Sequence, residues 1–344
     1  MDQDTDISEK PVEGSSLKVL PDQPISTGLE GIIYKAEYHG VLVVAKKMTK
    51  PLYLCKHEAG LIKKAGKNNE NVCKVIDLLY EEDGSSTTLI LPFYPNGDLL
   101  SFLVRIRKQK LSVPQVLRDL IFMKVVNIIN LLHAQNIVHM DIKPENILID
   151  GNGQLILCDF GFARDVSLEN SDHPIVHLGT IVGEEPENAK NEHKTQVVGT
   201  KSFMAPEIFS SKKKPSPQAM KKYDVWSLGI LYFVIALTCQ PWNSATPQDP
   251  IYEDYSLFYT DNRLHSIKSS DLNNNYIRKA ALKPFRQLPY NPRDCILKCL
   301  NPDNATRYTV KDICQSTWFA DLAFEYKSSS IGSEILKIIK TLNN

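Results

Sequence analysis

The chain has 344 residues, of which 42% are hydrophobic, so it can bury a large core as one large domain or two lobes. Its 40 Lys and Arg residues balance 40 Asp and Glu residues, so no net field draws it to nucleic acid or to an anionic membrane. Seven scattered cysteines without a C-x-x-C pair favour a reducing, intracellular compartment, cytoplasmic or nuclear. The start lacks an apolar signal region, and the most apolar stretch, residues 228–238, is too short for a membrane span.

The first part of the chain is predicted to be rich in sheet. Residues 1–16 mix Asp, Glu, Ser, Pro and Gly without periodicity and predict a flexible acidic tail. Two β-rich runs within residues 32–48 flank a His-Gly pair, which predicts a hairpin. A helix is predicted over residues 53–65 and a further strand over 87–91, so sheet-rich structure is expected to end near residue 95.

Helices are predicted to dominate the remainder. Residues 116–132 and 225–237 are long and apolar, which is typical of core helices. Residues 168–196 carry no sustained apolar pattern and are expected to form a long irregular excursion. Near the end, residues 331–342 place apolar side chains at helical spacing, so we expect an amphipathic helix that docks on the same chain.

A cluster of polar residues carries the chemistry. The run from His139 to Asn146 reads H-M-D-I-K-P-E-N, and two apolar runs that follow it meet at a G-N-G turn. A hairpin there would bring Asp141, Asn146 and Asp159 together at its open end. Asp141 is placed to accept a hydroxyl proton, and Lys143 can neutralise charge on a phosphoryl group. Asn146 and Asp159 offer the oxygen ligands that Mg²⁺ takes, so the pattern indicates a metal and phosphate site.

This pattern resembles the signature of the eukaryotic-type protein kinases, and the residue roles given above follow that family template. Further matches are an A-P-E element at 205–207, a G-T pair at 199–200, a D-V-W-S-L-G helix start at 224–229, and Arg307, which would pair with the A-P-E glutamate. The resemblance covers residues 17–320.

It implies an α+β, two-lobed protein-kinase fold with ATP in the cleft. An antiparallel-sheet lobe would occupy residues 17–92 and a mainly helical lobe 93–322, with the excursion at 168–196 inserted in the activation segment. Residues 323–344 would form an amphipathic extension.

The resemblance also assigns the nucleotide site. The strand V-V-A-K-K resembles the family's V-A-x-K strand, and period-2 geometry puts Ala45 and Lys47 on one face, so Lys47 is predicted to be the phosphate lysine. Glu58 would be its helix partner, although it follows by eleven positions where the family usually has more. Lys47 as an exposed strand-end lysine and Glu58 as part of a charged helix face are the alternatives.

The remaining nucleotide contacts come from a glycine-rich loop, I-S-T-G-L-E-G-I-I, in which Ser26 takes the first glycine position, and from the connection between the lobes. Ile25 and Ile33 are predicted to be the apolar walls around adenine, and Gly28 and Gly31 to be the loop glycines. Leu91 is the predicted gatekeeper, and Phe93 is the predicted hinge contact.

The predicted reaction is transfer of the γ-phosphate of ATP, with Mg²⁺, to serine or threonine hydroxyls of protein substrates. The lysine of K-P-E-N favours Ser/Thr over Tyr, and Glu145 would contact a basic residue upstream of the target. The segment G-T-K-S-F-M-A-P-E, with the later K-P-F-R-Q-L-P run, resembles the fungal nitrogen-permease-reactivator and halotolerance kinases.

Two alternatives remain open. A pseudokinase that binds a partner or nucleotide without transfer is suggested by Ser26, Met140 and the short spacing before Glu58. A small-molecule kinase is disfavoured by the complete A-P-E segment. Met140 also stands where many relatives have the arginine that grips a phosphorylated activation loop, so we expect activity without phosphorylation of Thr195 or Ser171.

Overall fold

The computed structural model describes residues 10–11, 16–20, 23–28, 31–81, 86–167, 201–210, 214–261, 282–326 and 330–343. Most of the predicted acidic tail lies outside these residues. So do the 168–196 excursion, with Ser171 and Thr195, and the 199–200 pair.

The first lobe is built on one seven-stranded sheet, which is antiparallel except where β1 pairs with β6. Its strands are β1 (Lys10–Pro11), β2 (Leu17–Val19), β3 (Ser26–Gly28), β4 (Gly31–Tyr38), β5 (Val41–Met48), β6 (Asp77–Tyr80) and β7 (Thr87–Pro92). The hairpin β4–β5 turns at His39 and Gly40, both with positive φ, as a two-residue hairpin loop requires. The predicted hairpin is confirmed.

The helices are α1 (Leu52–Gly66), α2 (Leu99–Lys108), α3 (Gln115–Ala134), α4 (Pro206–Ser210), α5 (Pro217–Leu237), α6 (Pro250–Asp261), α7 (Lys283–Gln287), α8 (Tyr290–Cys299), α9 (Val310–Cys314), α10 (Thr317–Glu325) and α11 (Ile331–Asn343). In the described part of the sheet lobe, α1 is the one helix. Helix α5 begins eight residues before the predicted start, because Ser216 caps it by accepting the N–H of Ala219 and Pro217 suits a first helical position. Among the described residues, no helix is both long and apolar enough to cross a membrane.

Two short antiparallel sheets of two strands each carry the polar cluster. In the first, β8 (Ile137–Val138) pairs with β11 (Arg164–Asp165), and in the second, β9 (Ile147–Ile149) pairs with β10 (Leu155–Leu157). Strands β8 and β10 are buried and contact α3, β9 contacts α2, and β11 is half-buried, so the β9–β10 hairpin is held from two helices.

An ion pair with a buried arginine joins two distant segments of the large lobe. The guanidinium of Arg307 donates to both carboxylate oxygens of Glu207, at 2.6 and 2.8 Å, and lies 4.8 Å from the centre of the Trp226 ring. Arg307 is 1% exposed. The pairing expected from the A-P-E element is therefore confirmed. It holds the A-P-E segment against the connection between α8 and α9, which carries Arg307.

Replacing this arginine should destabilise the fold strongly. Arg307→Ala leaves the Glu207 carboxylate without its countercharge, and we expect it to lower the free energy of unfolding by about 3–5 kcal/mol. Urea denaturation of wild type and variant measures the loss. The control is Lys337→Ala, which breaks an exposed pair with Glu334 and should cost below about 1 kcal/mol. Equal losses in the two variants would contradict the structural role of Arg307.

Candidate active site

The loop that precedes β9 is held by one buried carboxylate. Asp224 of α5, fully buried, accepts the backbone N–H groups of His139 and Met140 at 2.9 and 2.8 Å. It also bonds the Nε2 of His133 at 2.8 Å. Met140 has φ +68, a left-handed conformation that is costly for a non-glycine residue and that these bonds hold in place. The loop therefore presents Asp141 in a fixed orientation.

The carboxylate of Asp141 meets two donors. Lys143 Nζ lies 2.7 Å from its Oδ2, and Asn146 Nδ2 donates to the same oxygen and to the Asp141 carbonyl, each at 2.8 Å. Burial acts to lower the pKa of Lys143, but the charge and hydrogen bond of Asp141, together with the charges of Asp159 and Glu145, outweigh it, so the net effect is a raised pKa and a charged ammonium. Since both donors engage Oδ2, the other oxygen of Asp141 is left to accept from a hydroxyl.

A lysine on β5 connects the lobes. Lys46 Nζ lies 3.0 Å from Glu58 Oε1 on α1 and 2.8 Å from Asp159 Oδ1 beyond β10. Lys50 approaches the other oxygen of Glu58 at 2.5 Å, because only three residues join β5 to α1. Burial acts to raise the pKa of Asp159, but the charge and hydrogen bond of Lys46 prevail and lower it to about 2. Asp159 is therefore a carboxylate at any physiological pH.

The prediction that Lys47 faces the cleft is wrong. The predicted alternation along β5 holds, but Lys47 is exposed while Lys46 is 5% exposed and makes the cleft contacts. Ala45 shares the face of Lys47 and packs in the outer cluster with Val43 and Ile90, so it is not a nucleotide contact either. Val44 lies on the same face of β5 as Lys46.

The other predicted nucleotide residues lie on β3, β4 and β7 or directly beside these strands. Leu91 pairs with Val44 across β5 and β7, and the Lys35 ammonium lies 5.0 Å from the ring centre of Phe93 in the connection between the lobes. Just before β3, the Ile25 N–H donates to the Ile33 carbonyl of β4 at 2.8 Å, and Ile25 is 54% exposed. Gly28 and Gly31 are paired at the end of the same two strands.

Gly31 is sterically required. It has φ +143, and a Cβ atom there would lie 2.1 Å from the carbonyl oxygen of Lys47, too close for any side chain. The predicted loop thus has a glycine where β4 passes closest to β5. At Gly28 a Cβ would meet nothing within 4 Å, so space alone does not explain that glycine.

Comparison with known proteins assigns the chain. A model described as the protein kinase domain matches residues 22–319. The chain belongs to the protein kinase family. A probable serine/threonine-protein kinase named HAL5-like from Vanderwaltozyma polyspora is 27% identical over 276 residues, which cover 78% of this chain and 32% of that protein.

Two other relatives give the same picture. Serine/threonine-protein kinase ppk24, mitochondrial, from Schizosaccharomyces pombe is 28% identical over 68% of this chain and 46% of that protein. A HAL5-like kinase from Eremothecium gossypii is 30% identical over 55% of this chain and 24% of its own length. The resemblance to the fungal halotolerance group is confirmed. The chain spans less than half the length of these relatives.

Protein kinases use ATP with Mg²⁺, and the predicted metal ligands fit that ion. The amide nitrogen of Asn146 is occupied by its bonds to Asp141, which leaves the amide oxygen as the donor. Asp159 is ionised and binds Lys46 through one oxygen, so its second oxygen is the other hard donor. When bound, Mg²⁺ would neutralise charge on the phosphates, and these two oxygens are the groups that would hold it.

Sequence reasoning missed three residues of this kinase site. Lys46 was signalled by its distance to Glu58, since twelve positions is closer to the family's usual spacing than eleven. Asp224 was noted only as part of a motif, because a bond to a loop 84 positions away leaves no local pattern. Nothing in the sequence singles out Lys50, which reaches Glu58 only because the connection before α1 is short.

The two neighbouring lysines should affect the pKa of Asp159 differently. In Lys46→Met, burial acts without its countercharge, so the pKa of Asp159 should rise from about 2 to the ordinary value near 3.8 or above. In Lys47→Met it should stay near 2. Carbon-13 NMR titration of the aspartate carboxyls measures both.

The same titration bears on stability. The pKa of Asp159 is lower in the folded protein than in the unfolded chain, so ionised Asp159 stabilises the fold at pH values above its ordinary pKa. This stabilisation is lost as the pH falls toward about 2. The variant Lys46→Met should not show this loss of stability in acid. A pKa that moves in Lys47→Met instead would reverse the assignment of the two lysines.

Proposed function

We propose that the chain is an ATP-dependent serine/threonine kinase of protein substrates. The observation that supports this best is the link from Glu58 through Lys46 to Asp159, which stands beside a separately held Asp141. A scaffold that never transfers phosphate has no need of all four groups in one cleft. No described feature favours the pseudokinase alternative.

In phosphoryl transfer the protein forms no covalent bond to the substrates, and it acts by positioning them and by stabilising charge. A substrate hydroxyl would donate to Asp141, its oxygen would form the new bond to the γ-phosphorus, and the bond to the bridging oxygen of ATP would break, with the proton passing to Asp141. Lys143 would screen charge on the moving group, and Lys46 would hold the phosphates that remain. Lys143 beside Asp141 and the names of the relatives both support transfer to serine or threonine.

Glu145 supports a preference for basic substrates. Burial raises the pKa of Glu145; a backbone hydrogen bond and the charge of Lys143 act against it, and the charges of Asp141 and Asp98 add smaller upward contributions. An arginine or lysine of a peptide would relieve this like-charge repulsion. The seven unpaired cysteines support an intracellular location, cytoplasmic or nuclear.

Transfer should depend on the cleft residues. With Mg²⁺, labelled ATP and a serine peptide, we expect the purified chain to phosphorylate the peptide, and Asp159→Ala to lower kcat by at least about 10³-fold because charge on the phosphates is then unscreened. A peptide with arginine upstream of the serine should be preferred over its alanine counterpart. ATP binding without transfer in the wild type would favour the pseudokinase, and equal rates for the two peptides would exclude the basic preference.

Phosphorylation of the activation segment should not be required. Met140 is buried in place of the usual arginine, and an ion pair between Lys64 of α1 and Asp165 of β11, at 2.5 Å, already ties the helix to the start of that segment. We therefore expect unphosphorylated protein to be active, with Lys64→Met lowering kcat severalfold, as loss of a half-exposed pair should. Phosphatase-treated protein, checked by mass spectrometry, provides the measurement. An enzyme inert until Ser171 or Thr195 is phosphorylated would contradict this expectation.

A further inference from the structure

Helix α11 meets the β9–β10 hairpin at two glycines, one on each element. A Cβ atom built on Gly153, in the turn of the hairpin, would lie 2.3 Å from the carbonyl oxygen of Gly332 in the first turn of α11. A Cβ on Gly332 would lie 2.5 Å from the carbonyl oxygen of Asn152 and 2.6 Å from Gln154 Nε2. Only two glycines allow the helix and the hairpin to approach this closely.

Gly332 has no other evident reason to be glycine. Gly153 has φ +76, so its turn requires glycine in any case, whereas Gly332 lies in ordinary helix. Glycine in a helix costs about 1 kcal/mol relative to alanine. The close contact with the hairpin offsets that cost and explains the residue.

The hairpin turn is stiff enough to transmit a displacement. The carboxylate of Asp150 accepts the N–H groups of Asn152 and Gln154 at 2.8 and 2.7 Å, and the Gly153 N–H donates to the Asp150 carbonyl. Three paired residues on each strand connect this turn to the open end, where Asn146 precedes β9 and Asp159 follows β10. A shift of the turn therefore reaches the proposed metal ligands.

Helix α11 is itself firmly anchored. Its buried side chains pack on the large lobe, and its last turn binds the end of α2. The buried residues are Ile335, Ile339 and Leu342. Gln109 Nε2 donates to the Leu342 carbonyl at 3.1 Å, and Arg105 donates to Asn343 Oδ1 at 2.7 Å.

The hairpin is held from the opposite side by the segment before α2. The Ile149 N–H donates to the Gly97 carbonyl at 2.8 Å, and Asn96 Nδ2 donates to the Asp150 carbonyl at 2.6 Å. The hairpin turn is thus fixed between this segment and α11. The last turn of α11 binds α2, which is the helix that follows this segment.

We infer that α11 is a positioning element for catalysis, and that the Gly153–Gly332 contact sets where the hairpin places Asn146 and Asp159. This inference rests on the proposed function. Neither glycine touches the substrates; both act through the hairpin.

The test is Gly332→Ala in the full chain, with Gly60→Ala as the matched control. Gly60 is exposed on helix α1, and a Cβ there meets nothing within 4 Å, so both changes add one methyl group to a helix. We expect Gly332→Ala to lower kcat about tenfold, to raise the Mg²⁺ concentration for half-maximal rate, and to leave KM for the peptide unchanged. Amide hydrogen exchange within residues 147–157 should quicken. Gly60→Ala should change none of these.

A second variant covers failure of the first to fold. Leu342→Ala loosens the far end of α11 without adding an atom at the hairpin, and it should quicken the same amides and lower kcat in the same direction. Wild-type kcat and wild-type exchange in the folded variants would overturn the inference, even if their thermal stability falls. Hydrogen exchange needs no activity, so a wild type that transfers no phosphate would refute the proposed function while leaving the contact testable.

Discussion

The carboxylate of Asp224 is the group on which the rest of the site depends. It lies in the middle of the large lobe's core, and it holds two successive backbone amides of the loop that bears Asp141. The loop needs this restraint because Met140 adopts a left-handed conformation that an isolated chain would leave. Because Asp224 is held within the stable helix α5, its hydrogen bonds fix the orientation of Asp141, the group that would receive a proton.

The remaining polar groups are arranged around Lys46 as alternating charges. Two carboxylates on different lobes meet one ammonium, and each is supported from its own side, Glu58 by Lys50 and Asp159 by the hairpin. Removing any one of them leaves an unbalanced charge in a partly dry cleft, which is costly. The two lobes are therefore joined by this charge cluster as well as by apolar contacts.

Sequence reasoning succeeded where patterns are local. The β4–β5 hairpin, α1, α3 and the placement of α11 follow from periodicity and turn residues. The two-residue period of a strand also placed Lys46 and Lys47 correctly on opposite faces of β5. It cannot tell which of the two faces lines the cleft, because both faces of this sheet pack against apolar residues. Contacts between distant segments, such as those of Asp224 and Gly332, depend on tertiary packing that no window of sequence records.

The pairing of Glu207 with Arg307 has a consequence for how the chain is made. The two residues are 100 positions apart, and synthesis at about 5–20 residues per second separates their emergence by about 5–20 seconds. During that interval the A-P-E segment has no partner for its carboxylate, so the surface that would receive a peptide cannot be locked. The nascent protein would thus expose the residues of the sheet lobe and of the β9–β10 hairpin before the segment that would receive a peptide is held in place.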